Sequence, residues 1–139
     1  MLRKVLTGAK WLGLLLIVVV VTHFAMIEVG REVVTLRTQN PDGTWKETRL
    51  WVVDYDGSTW LHSAGPVWAH RFDDQPVVEL ERSGSVQRYT ATPVSGPHPE
   101  IDAALREKYG IADRWVRFIA PCDESTLPVR LTPVRDADV

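Results

Sequence analysis

One cysteine, Cys122, serves the whole 139-residue chain. An intrachain disulfide is therefore impossible, and so is a thiolate metal cluster built from one chain. Basic runs are also missing. Lys and Arg together number 16 against 18 Asp and Glu, for a net charge of -2. Three of the cations precede residue 11 and one acid lies at Glu28, so from Arg31 onward the net charge is -4. No basic stripe or Lys-rich tail is left to track a phosphate backbone, which argues against a nucleic-acid partner. The chain has no GxSxG, no Walker loop and no GxGxxG. The usual hydrolase, nucleotide-triphosphatase and dinucleotide-binding signatures are thus absent. Cys122 stands beside Asp123 and Glu124, whose charges would raise a thiol pKa and disfavour a nucleophile.

What is abundant is apolar sequence near the front. Trp11 to Ile27 reads WLGLLLIVVVVTHFAMI and carries no formal charge. About 20 helical residues span a hydrocarbon core, and this run sits at the short end of that range. Arg3, Lys4 and Lys10 precede it; Glu28, Arg31 and Glu32 follow. The run predicts a single-pass anchor over residues 11–29, after a basic flank at 1–10. A cleaved signal peptide and a buried helix are the alternatives. The bulky His23 in Thr22-His23-Phe24-Ala25 makes a poor cleavage site. The positive flank keeps the N-terminus cytoplasmic and sends the rest to the far side, although Arg31 and Arg37 dilute that bias.

Beyond the anchor, residues 30–135 are expected to form one domain and 136–139 a tail. Val33 to Thr38 is β-branched, and Asn40-Pro41-Asp42-Gly43 is a turn signal. Over Lys46 to Asp54, alternation puts Thr48, Leu50 and Val52 on one face and Arg49, Trp51 and Val53 on the other. Asp56-Gly57 and Ser83-Gly84 mark tight hairpins. Further strands are expected at Ser58–Ser63, Val77–Glu81, Val86–Val94 and Leu127–Val134. Two helices interrupt them. One opens at Pro99-Glu100 and stops at Gly110; the other is expected to be capped by Asp113, with Trp115, Phe118 and Ile119 on its apolar side. The pattern is mainly β with short helices, a sandwich or closed barrel.

His62, His70 and His98 are scattered, with no pair at helical ligand spacing, so no metal site is expected. Lys46, Thr48 and Arg49 begin one strand; Ser63-Ala64-Gly65-Pro66 ends the next, followed by Trp68, His70 and Arg71. Cations, hydroxyls and backbone N–H groups are what a phosphate needs, and Trp68 offers a flat apolar face. A polar barrel rim is the plain alternative for the same residues.

Thr48 to Arg71, TRLWVVDYDGSTWLHSAGPVWAHR, resembles the flavin-binding split β-barrel superfamily, with its pyridoxamine-phosphate-oxidase-like fold. The likeness is to the branch of deazaflavin-dependent nitroreductases and quinone reductases. Val77-Val78-Glu79-Leu80, then Leu105 to Trp115, then Leu127 to Pro133 follow in the same order. The resemblance implies a six-stranded split β-barrel preceded here by one N-terminal transmembrane helix. It implies FMN or a deazaflavin as cofactor, held by Lys46, Thr48 and Arg49 at the phosphate. Ser63, Ala64 and Gly65 would run along the ring, with Trp68, His70 and Arg71 beside it. The implied activity is hydride transfer to a quinone or nitro acceptor, with catalytic residues unassigned. A membrane-soluble quinone suits the anchor, and a homodimer is implied by analogy. Alternatives are a cofactor-free binding or assembly module at the membrane, and a haem- or small-ligand-binding barrel using His62 or His70.

Overall fold

The computed structural model describes residues 2–62, 71–121 and 126–135. The chain divides into two units, Met1–Arg31 and Glu32–Val139. The first contains helix α1, Leu2–Glu28. Its stretch Gly8–Glu28 is long and apolar enough to cross a membrane. Trp11 is 67% exposed and Phe24 58% exposed, so among the described residues this helix carries a large exposed apolar surface. Gly30 has φ +69°, and the Arg31 guanidinium donates to the Val29 carbonyl at 2.7 Å, satisfying a carbonyl just past the helix end.

The second unit is a closed barrel. Its strands are β1 (Val33–Gln39), β2 (Trp45–Tyr55), β3 (Ser58–His62), β4 (Val77–Arg82), β5 (Ser85–Pro93) and β6 (Pro128–Pro133). They close in the order β1-β2-β3-β6-β5-β4, every neighbouring pair antiparallel. Closure gives each strand two neighbours and removes free edges. The long strand β2 serves both halves. Trp45 to Trp51 pair with β1, and Val52 to Tyr55 pair with β3. Two hairpins turn on dipeptides with left-handed backbone at both positions: Asp56 (φ 49°) with Gly57 (φ 69°), and Ser83 (φ 53°) with Gly84 (φ 77°). Two positive φ values in a two-residue loop match the twist of the flanking strands.

Strand alternation builds two cores. Val34, Leu36, Val52, Leu61, Val78, Leu80, Ala91, Val129 and Leu131 fill the barrel, joined by Phe72 from the short helix α2 (Arg71–Asp74). On the outside, Val53, Trp51 and Trp60 are covered by Ile101, Leu105 and Tyr109 of α3 (Pro99–Tyr109) and by Ala112 of α4 (Ile111–Ile119). The expected faces of β2 are thus both buried, one under each core.

Helix α4 departs from expectation. It starts at Ile111 with Gly110 as N-cap and no side-chain cap. Asp113 lies inside the first turn, buried, where its carboxylate accepts from Arg117 Nε at 2.7 Å. Phe118 is 82% exposed and Ile119 54% exposed, while Ala112 and Asp113 take the buried side. Helical periodicity marks a stripe, but it does not say which stripe meets the barrel.

Candidate functional site

Among the expected cofactor residues, Lys46, Thr48, Arg49 and Arg71 are described. Ser63, Ala64, Gly65, Trp68 and His70 lie outside the described residues, as does Cys122. Lys46 pairs with Thr38 in register, Thr48 with Leu36, and Arg49 with Thr35. Successive strand residues point to opposite faces. Lys46 and Thr48 therefore share the inner row with Leu50, whereas Arg49 shares the outer row with Trp51. These three residues of β2 do not converge on a point.

Topology places Arg71 at the same end of the barrel as Thr38 and Lys46. It opens α2, which leads straight into β4, and the first residues of β4 flank the end of β1 that carries Thr38. Phe72 from the same helix is buried in the barrel core, so α2 lies over that end of the barrel. This mouth contains one unusual atom. Thr38 is buried, and its Oγ1 has no hydrogen-bond partner among the described residues. A buried hydroxyl without a partner costs about 1–3 kcal/mol, so such atoms point to a missing partner. Asp73 and Asp74, both exposed, stand on the same short helix.

A second cluster forms where the end of β3 meets the start of α3. His62 Nε2 lies 3.5 Å from Asp102 Oδ1, and His98 Nε2 lies 3.9 Å from Asp102 Oδ2. The two imidazole centroids are 5.5 Å apart. His98 Nδ1 is 2.9 Å from the Gly96 carbonyl oxygen. A carbonyl can only accept, so Nδ1 carries a proton and donates it to Gly96. Arg117 Nη2 donates to Asp102 Oδ1 at 3.0 Å and Nε to Asp113, tying the carboxylates together from α4. Burial pushes the His62 pKa below its ordinary value, against the pull of Asp102. The sequence hides this cluster because one member sits on a strand 36 positions before its partner. The visible signal was the i,i+4 spacing of His98 and Asp102, a mixed pair rather than two histidines.

A third cluster fastens the point where β1 begins. Arg82 makes paired contacts with Glu32 (2.6 and 3.1 Å) and with Asp54 (3.0 and 2.7 Å). Lys108 donates to Glu32 and to the Val52 carbonyl. The Tyr109 hydroxyl accepts from Val52 N–H at 3.0 Å, and the carbonyls of Glu32 and Val52 lie 2.8 and 2.9 Å from it as acceptors. It thereby occupies the gap at the end of the β1–β2 ladder, while its ring stacks on Trp51 with centroids 4.4 Å apart. Burial pushes its pKa up to about 12. The Arg82 hydrogen bonds hold both the Glu32 and the Asp54 carboxyls below the usual range.

Depressed carboxyl pKa values stabilise the fold above the unfolded-state pKa, and that stabilisation is lost as pH falls through the folded-state value. Thermal stability is therefore expected to drop between about pH 5 and pH 3. Asp54 is largely exposed, so screening limits this network to about 1 kcal/mol. Arg82→Gln should flatten the acid limb of a melting-temperature profile. An unchanged limb would remove these carboxylates as its source.

The sequence matches no family model and no curated protein. Solved structures do match in fold. The haem storage protein HutZ from Vibrio cholerae is 15% identical, covering 76% of this chain and 84% of its own, with a TM-score of 0.56. A putative pyridoxamine 5′-phosphate oxidase from Listeria innocua is 15% identical over 81% of this chain and 90% of its own, at 0.53. An FAD-binding protein from Mesorhizobium loti is 11% identical over 76% and 83%, at 0.52. The fold is that of pyridoxamine-phosphate-oxidase-like split barrels.

Proposed function

We propose that the chain binds a flavin, FMN or a deazaflavin, at the mouth of its barrel and acts as a membrane-anchored reductase. The observation that carries this reading is the unpartnered Thr38 hydroxyl beside Lys46, at the end of the barrel where Arg71 also lies. The residues fit a phosphate: a hydroxyl and two cations are its natural donors. The pyridoxamine phosphate oxidase and FAD-binding neighbours support a flavin in this fold. When bound, the flavin supplies hydride chemistry toward a quinone or nitro-type acceptor. Thr38, Lys46, Thr48 and Arg71 hold and orient the phosphate end. Arg49, which the sequence resemblance also implies, lies on the outer row opposite Thr35, away from this inner-row set. Ser63, Ala64, Gly65, Trp68 and His70 are proposed to line the ring, as the sequence resemblance implies. Helix α1 would hold the barrel beside lipid-soluble acceptors.

A second reading, a cofactor-free binding or assembly module, is favoured by Asp73 and Asp74, whose charges at the mouth oppose a polyanionic ligand. Spectroscopy separates the two. The detergent-purified chain is expected to quench FMN or deazaflavin fluorescence on titration. Lys46→Ala should weaken that binding by about tenfold, the worth of one charge-assisted hydrogen bond. No spectral change with either compound overturns the reductase reading, and wild-type affinity in Lys46→Ala removes the phosphate assignment.

A further inference from the structure

We propose that His62, His98 and Asp102 form a binding site for a divalent transition-metal ion. By strand alternation His62 faces outward with Trp60, whereas Thr38 and Lys46 belong to the inner row, and the proposal does not rest on the flavin reading. The three ligand atoms all lie within 4.8 Å of one another. Ligands bound to one ion at about 2.0–2.1 Å in a tetrahedron stand about 3.4 Å apart, so the widest separation in the set has to close by at most about 1.4 Å, within reach of side-chain rotation. The separation of His62 Nε2 from Asp102 Oδ1, 3.5 Å, is long for a hydrogen bond. It is close to the roughly 3.4 Å edge of a tetrahedron around such an ion.

The surroundings prepare the ligands. The Gly96 carbonyl fixes the proton of His98 on Nδ1 and turns Nε2 toward Asp102, the arrangement that metal-bound histidines ordinarily use. Arg117 orients the Asp102 carboxylate, and its charge is matched by Asp113. Among the described charged groups, the carboxylates of Asp102 and Asp113 against the guanidinium of Arg117 leave an excess of one negative charge for a cation to meet. Two imidazoles and one carboxylate select a borderline ion such as Zn2+ over Mg2+ or Ca2+. Three protein ligands leave a fourth position for water.

The probe is Zn2+, with Co2+ as its spectroscopic substitute, added to the untagged full chain in detergent after chelator treatment. One Zn2+ per chain is expected by calorimetry, with a rise in melting temperature that grows with zinc concentration. Co2+ should show the intense visible bands of a tetrahedral site. His98→Ala and His62→Gln should each weaken zinc binding at least tenfold, whereas His23→Gln should leave it unchanged. Circular dichroism of each metal-free variant confirms that it is folded. The histidine resonances of the wild-type chain give a readout that needs no variant, since two imidazoles should shift together on zinc addition. Absence of zinc uptake by the wild-type chain overturns the proposal. So does uptake that survives both substitutions, or that follows His23.

Discussion

Tyr109→Ala is expected to destabilise the barrel by about 3–5 kcal/mol, the range for losing a large buried ring. The ring is 4% exposed and stacks on Trp51, so its loss opens the outer core between α3 and β2. Its hydroxyl carries a separate share. Val52 N–H is buried and takes Tyr109 as its acceptor. Tyr109→Phe keeps the stack but leaves that donor unsatisfied, at a cost of about 1–3 kcal/mol. Denaturant unfolding of both variants separates the two contributions. If Tyr109→Phe unfolds at the wild-type midpoint, the hydroxyl does not hold the end of the β1–β2 ladder.

Leu36→Ala should have an effect of similar size, about 2–5 kcal/mol. Leu36 is fully buried on the inner row of β1, opposite Thr48 on one side and Leu80 on the other. Both neighbouring strands are tied to β1, so the surroundings cannot collapse far into the space left behind. Domains of this size have total stabilities of about 5–15 kcal/mol, and the loss would lower the melting temperature by on the order of 10–20 °C. A drop of only a few degrees would mean that Thr48 and Leu80 move in to fill the gap.

These residues also mark what the sequence made legible. Alternation along β2 placed Leu50 and Val52 against Trp51 and Val53, and the structure buries both faces under different covers. The Asp56-Gly57 and Ser83-Gly84 turns were visible because left-handed backbone at two successive positions is a local property of the dipeptide. The apolar spacing of Ile101, Leu105 and Tyr109 likewise gave α3. Helix α4 was misjudged in its cap and its buried face. Asp113 finds Arg117 one turn on, and that partner competes with capping. The cluster of His62, His98 and Asp102 was not legible because it forms only when the end of a strand meets the start of a distant helix. Thr38 carried no sequence signal either. A threonine in a β-branched strand looks ordinary until its hydroxyl is enclosed without a partner.

The strand order has a consequence for the way this chain is made. β3 completes its pairing only with β6, where Thr59 lies opposite Leu131, about seventy positions later. Loop closure over such a distance costs chain entropy before any contact is gained, which slows folding. A ribosome delivers β1, β2 and β3 first, then β4 and β5, and β6 last. Until Pro128–Pro133 emerges, β3 and β5 each present an unpaired edge, open to any other extended chain. The growing chain therefore carries both adhesive edges from the completion of β5 at Pro93 until β6 is made, and that one strand removes both at once.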